Sequence, residues 1–202
     1  MSQLPKLAII NPVKHKPFDD PTGEWTFDFK YDGFRGVLYK SEERSWFCSK
    51  QDLEMTRFKD FAVEVAKLLK AKEAIVDGEI VALDAGGRPI FKNMLRKGTA
   101  LTYIAFDLLW LEDEDLRSQP LKERRRLLRQ ILPRRSLRVL PAFTEKKHGQ
   151  AMFDFMCEHD LEGLVAKRLR DPYHKRVKWY KIKNPNYSQE VGRQETFNRR
   201  RR

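Results

Sequence analysis

In the segment FDFKYDGFRG, residues 27–36, a lysine stands between two carboxylates: Asp28 precedes Lys30 by two residues and Asp32 follows it by two. On an extended strand these three side chains share a face. Carboxylate neighbours favour the ammonium form, so on spacing alone the trio reads as a surface ion-pair ladder. Covalent catalysis by Lys30 would need its neutral amine, and further cations or a metal would have to offset Asp28 and Asp32. The sequence supplies candidates. In VKWYKIKN, alternation sets Val177, Trp179, Lys181 and Lys183 on one face, with the two lysines roughly 7 Å apart at the backbone. Like charges so placed suit a phosphate better than they suit each other; the alternative is a solvated edge strand guarded by lysines. Lys167, at the end of EGLVAK, adds a third cation. Glu79 in VDGEI and Glu162 in LEGLV each adjoin a glycine in an apolar stretch, where a carboxylate is costly unless paired or bound to a metal. Salt bridges to the many Lys and Arg residues are the simpler reading of both.

The elements that must hold these residues follow from periodicity. Trp25 to Asp32 alternates strictly, which predicts a half-buried strand with one charged face. Apolar residues at 58, 61, 62, 65, 68 and 69 form a helical stripe ending near Ala71. Ile75 to Leu83 and Tyr103 to Leu111 are nearly continuous apolar runs, as in strands covered on both faces. Pro120 opens a helix that runs to about Leu132, stopped by Pro133, with Arg124, Arg125, Arg126 and Arg129 as a basic outer face. A short helix over Gln150 to Glu158 leads into a strand from Glu162 to Arg168, and Val177 to Lys183 is another strand. Beyond Asn184 no periodic core pattern remains. The mixture predicts an α+β fold.

Composition narrows the partners. The 202 residues carry 41 Lys and Arg against 29 Asp and Glu, a formal charge of +12, which points to a polyanion. The last ten residues hold five Arg and one Glu, so the basicity is spread over the whole chain. No apolar run approaches the roughly 18 residues of a transmembrane helix, and the start reads as no signal peptide. Cys48 and Cys157 lack metal spacing and read as reduced thiols of a cytoplasmic protein, and the four His residues form no zinc pattern.

Taken in order, KYDGFR (30–35), DGE (77–79), YIAFD (103–107), EGLVAK (162–167) and WYKIK (179–183) resemble the motif series of the covalent nucleotidyltransferases. The wording is most similar to ATP-dependent DNA ligases, in particular the ligase part of bacterial end-joining ligases, over about residues 17–192. The resemblance implies a ligase/capping-enzyme catalytic domain of antiparallel sheets flanked by helices, with the ATP site between the sheets. It implies that Lys30 attacks the α-phosphorus of ATP and becomes an AMP-lysine, with Mg2+ or Mn2+ assisting. Asp28 stands where the family usually has a glutamate that reads the adenine amino group. Arg35 and Glu79 match ribose contacts, and Phe106 matches the ring that stacks on the base. Glu162, with Glu79, is expected near the metal; Lys167, Lys181 and Lys183 match residues around the α-phosphate. Where the family usually shows Ser-Arg-Asn-Gly, this chain has Ser49-Lys50-Gln51-Asp52, so Lys50 keeps the charge without the planar fork.

The resemblance further implies transfer of AMP to 5′-phosphate ends of nicked or broken duplex DNA by a monomer. The OB-fold that follows this domain in such ligases does not fit into the 18 residues after Asn184, so the expectation is a minimal one-domain enzyme, an excised domain or one half of a two-chain ligase, with an OB-fold or end-binding protein as an expected partner. Residues 1–192 are expected to form the adenylation domain and 193–202 a disordered basic tail that, with the arginine helix face, contacts DNA. An RNA ligase, a GTP-using capping-type enzyme and a non-catalytic DNA-repair module are the alternatives.

Overall fold

A computed structural model describes residues 4–96 and 98–190. The chain is built on two sheets. In chain order, the strands are β1 (Val13–Lys14), β2 (Trp25–Phe29), β3 (Phe34–Lys40), β4 (Ser45–Cys48), β5 (Ala74–Val81), β6 (Thr102–Leu111), β7 (Glu114–Asp115), β8 (Val139–Pro141), β9 (Thr144–Glu145), β10 (Gly163–Arg168) and β11 (Tyr180–Lys183). One sheet has the order β1-β11-β10-β2-β9 and the other β4-β3-β5-β6-β7, with β8 added beside β6. Pairing is antiparallel except for β1 with β11 and β6 with β8.

Among the described residues three α-helices complete the fold: α1 (Lys59–Leu68), α2 (Leu121–Ile131) and α3 (Gly149–Glu158). The apolar stripe of α1, with Phe61, Ala62 and Val65, packs with Leu128 and Ile131 of α2 against Leu38, Val76, Ile80 and Tyr103 of the second sheet. The opposite face of that sheet, including Val37, Tyr39, Ile75 and Leu109, is covered by Leu7 and Ile10 of the N-terminal segment and by Tyr173 and Trp179. Covering on both faces accounts for the continuous apolar text of β5 and β6. In the first sheet, Phe27, Leu164 and Ile182 pack on Met152 and Met156 of α3.

The structure corrects several sequence expectations. The strand expected to reach Asp32 ends at Phe29, and its charged face is buried: Thr26 is 1% exposed and Asp28 2%. The helix expected to end near Ala71 stops at Leu68, preceded by a 3-10 turn at Thr56–Phe58, and the last strand begins at Tyr180 instead of Val177. The arginine field of α2 is divided. Arg124 and Arg125 are buried, 0% and 5% exposed, while Arg126 and Arg129 face solvent. Arg124 lies flat against Asp107 of β6, with Nε and Nη2 each 2.7 Å from a carboxylate oxygen. Beyond Asn184, Tyr187 is buried and donates to Asp32 Oδ2 at 3.1 Å, so this polar stretch belongs to the packed domain. The expected tail, 193–202, lies outside the described residues.

Candidate active site

The two sheets enclose a cavity of about 740 Å³, within the range of small-molecule sites. Asp28, Lys30, Arg35, Lys50, Glu79, Phe106, Glu162, Lys167, Lys181 and Lys183 all line it. Residues drawn from every motif thus meet in one place, between the sheets as expected.

Lys30 follows β2 directly. Its backbone N–H donates to Gly163 O at 2.9 Å, and its Nζ lies 2.6 Å from Glu162 Oε1. Gly163 permits this junction: its φ is +131°, and a Cβ there would come within 2.0 Å of Ile182 O. On the other side of Lys30, a Cβ on Gly33 would fall 2.1 Å from Ile80 O, so the YDG turn lies directly against β5. The carboxylates flanking Lys30 in sequence have other partners: Asp32 accepts from Tyr187, and Asp28 is held by Arg125 and Lys167. Glu162 takes their place beside Lys30.

Around Lys30 the field is cationic. Lys183 Nζ is 3.8 Å from the same Glu162 oxygen and 2.7 Å from Glu190 Oε1. Partial burial lowers the pKa of Lys181, and Lys30, Lys183, Lys14 and Lys50 push it further down. Lys14 arrives through the parallel pairing of β1 with β11, which sets it opposite Lys181. Lys50 sits in the turn after β4, closed by the Ser49 N–H donating to Leu53 O at 2.8 Å.

The other end of the cavity is aromatic and contains the main departure from expectation. Lys167 lies apart from the Lys30 group: its Nζ is 2.8 Å from Asp28 Oδ2 and 4.1 Å from the ring centroids of both Phe106 and Trp179. Sheet register explains the separation. Lys183 pairs with Gly163 and Lys167 with Thr26, four residues further along β10 and thus roughly 13 Å away at the backbone. Burial pushes the Lys167 ammonium down to about 8, with Arg125 adding to the shift and Asp28 opposing it. For Asp28, burial raises the pKa, but Arg125 and Lys167 outweigh it and the net shift is downward.

Arg35 lines the cavity beside the same rings, its guanidinium carbon 5.5 Å from the Phe106 centroid and 5.4 Å from that of Trp179. Its fork holds Asp77, with Nε 3.0 Å from Oδ1 and Nη2 2.6 Å from Oδ2, while Nη1 donates to Ile10 O. Tyr173 also donates to Asp77, so this cluster fastens the N-terminal segment and the 173–179 segment to the second sheet. Glu79 lies opposite Arg35 in the β3–β5 register.

Among the described residues no group of three His, Cys, Asp or Glu side chains forms a metal cage. Glu79 and Glu162 line the cavity together, a donor set that fits Mg2+ or Mn2+ completed by substrate oxygens. Sequence reasoning missed Arg125, Trp179 and Val165 as parts of the site. Arg125 had a signal: Leu121, Arg124, Arg125, Leu128 and Ile131 follow the helical spacing of a buried stripe.

The family model of the ATP-dependent DNA ligase domain matches residues 5–183. The chain belongs to that family. Among curated relatives of this ligase-domain chain, the multifunctional non-homologous end joining protein LigD of Pseudomonas aeruginosa is 30% identical over 173 residues, 81% of this chain and 20% of that protein. DNA ligase C2 of Mycolicibacterium smegmatis is 30% identical over 197 residues, 90% of this chain and 55% of that protein. The chain therefore spans a fifth to about half of the length of these relatives. A solved structure of a mycobacterial DNA ligase D in complex with ATP and MES superimposes with a TM-score of 0.71 at 24% identity, covering 88% of this chain and 60% of that one. That likeness carries the fold: the sheets and helices described above are those of a ligase nucleotidyltransferase domain.

Proposed function

We propose that this chain is the adenylation domain of an ATP-dependent DNA ligase, with Lys30 as the nucleophile. The supporting observation is the polarity of the cavity, with Lys30, Lys181, Lys183 and Lys50 toward one end and Phe106, Trp179, Asp28 and Lys167 at the other. A triphosphate suits the first set and a flat base the second. Asp28 as acceptor beside Lys167 as donor complements adenine, which offers an amino donor next to a ring-nitrogen acceptor. Guanine offers an oxygen and an N–H there instead and would need the two side chains in exchanged places, so the ATP reading commits Asp28 to the amino group and Lys167 to the ring nitrogen.

Lys30 attacks in its neutral form. Its Nζ bonds to the α-phosphorus while the bond from that phosphorus to the bridging oxygen breaks; the electron pair leaves with pyrophosphate, and the proton that Nζ sheds passes to Glu162 Oε1, 2.6 Å away. Glu162 orients Nζ, and Lys181 and Lys183 neutralise charge on the phosphate, the main resource in phosphoryl transfer. A Mg2+ or Mn2+ ion held by Glu162 and Glu79 would add to that neutralisation. Arg35 and Glu79 flank the sugar position, and Lys50 covers the site from the turn after β4. The AMP then passes to a 5′-phosphate of nicked or broken duplex DNA, and a 3′-hydroxyl displaces it. An OB-fold or end-binding protein as partner, a monomeric state and a cytoplasmic location complete the proposal. No helix among the described residues is long and apolar enough to cross a membrane.

Incubation with α-labelled ATP or GTP and Mg2+ tests the proposal. ATP should label the protein and GTP should not, and the labelled protein should transfer AMP to a nicked duplex. Labelling by GTP alone would make it a capping-type enzyme; the absence of labelling by either would leave a DNA-repair binding module.

A further inference from the structure

Arg125 touches three groups at the base end of the cavity, although it comes from a helix outside both sheets. Its Nη2 pairs with Asp28 Oδ2, its Nη1 donates to Thr26 Oγ1 at 3.3 Å, and its Nε donates to the backbone carbonyl of Phe106 at 3.1 Å. One rigid guanidinium thus spans β2 and β6, the strands that carry the carboxylate and the ring. Arg125 and Lys167 converge on Oδ2, which leaves Oδ1 with a single long hydrogen bond among these contacts, from the Thr26 hydroxyl at 3.4 Å. Asp28 lines the cavity while being only 2% exposed, so its rotamer is fixed before any ligand arrives.

We infer that Arg125 is a positioning residue for nucleobase selection: it locks Asp28 and the Phe106 backbone in one frame, so that Asp28 Oδ1 accepts from the amino group of a base lying against the Phe106 ring. The inference rests on the reading of the aromatic end as the base site. It adds to that reading a residue with no cavity contact of its own, acting through Asp28. Shape matters as much as charge here. A lysine at 125 would keep the charge but would not bond Asp28, Thr26 and the Phe106 carbonyl together.

The test compares equilibrium binding of ATP with that of purine riboside 5′-triphosphate, which lacks the 6-amino group. Calorimetry is run with a chelator present so that no transfer occurs. A hydrogen bond to a charged acceptor predicts that the wild-type protein prefers ATP by roughly tenfold or more. Arg125→Lys and Arg125→Met should bring that preference to within about threefold, chiefly by weakening ATP. Asp28→Asn should lose the preference by itself, and adding Arg125→Lys to it should change the ratio no further. If Arg125→Met does not fold, Arg125→Lys decides. An unchanged ratio in a variant with wild-type circular dichroism and melting temperature overturns the inference, as does a wild-type protein indifferent to the amino group. The outcomes separate from those for catalysis. Selective binding that Arg125→Lys abolishes, without an AMP adduct in Mg2+, would refute the transferase reading and uphold Arg125; an adduct with a ratio insensitive to Arg125→Lys would do the reverse.

Discussion

Glu162 lies 2.6 Å from Lys30 and 3.8 Å from Lys183, so one carboxylate organises two cations that a triphosphate would also attract. If Lys181 and Lys183 act on charge developing at the phosphate, Lys181→Ala or Lys183→Ala should slow adenylation by on the order of 10²-fold, and arginine at either position should restore only part of it. Wild-type rates in both alanine variants would reduce the pair to a solvated edge. Lys167 makes a different prediction. Folding holds it at about 8 against an ordinary 10.5, through burial first, with Arg125 adding and Asp28 and Asp107 opposing. Between those two values the unfolded chain binds more protons than the native one, so stability attributable to this group rises with pH. The wild type should therefore gain stability relative to Lys167→Met as pH rises from about 8 to 10.5 and run parallel to it below pH 7. Denaturant melts across that range measure it, and parallel profiles throughout would contradict the assignment.

The helix α2 shows at the level of one element what spacing reveals and what it leaves out. Its buried side carries Arg124 paired with Asp107, and its open side carries Arg126 and Arg129. Arg124→Ala leaves a buried carboxylate without its guanidinium and should cost about 3–5 kcal/mol in urea unfolding. Arg126→Ala and Arg129→Ala should each stay within about 0.5 kcal/mol; equal losses on both sides would contradict the division of the helix. The stripe through Leu121, Arg125 and Leu128 was visible in the sequence, but the residue type argued for solvent, and the carboxylates that make burial tolerable come from β6 and β2, far away in the chain. Similarly, the alternation of β2 was legible while the burial of its polar face was not, because that face is covered by Arg125 and Lys167 from other elements. Motif order brought together all ten expected site residues. It grouped Lys167 with Lys181 and Lys183 around the phosphate, whereas the register of β10 against β2 and β11 sets Lys167 beside Asp28 at the other end.

For the whole molecule, a formal charge of +12 predicts DNA binding dominated by phosphate contacts, with log affinity falling steeply against log salt. Burial of Arg124 and Arg125 removes them from the expected contact surface and leaves Arg126 and Arg129 on it. Anisotropy with a nicked duplex should show a weaker affinity and a flatter salt slope for the Arg126→Ala/Arg129→Ala pair, and separately for removal of residues 193–202; an unchanged slope would move the interface elsewhere. Neither change should touch the chemistry proposed between the two sheets. Adenylation at Lys30 is read directly from the intact mass of the purified protein after incubation with ATP and Mg2+, followed by peptide mapping. The expected result is a mass increase of one AMP, carried by the peptide containing Lys30 and abolished in Lys30→Ala. An unmodified wild-type protein, or an AMP adduct that survives Lys30→Ala, would contradict it.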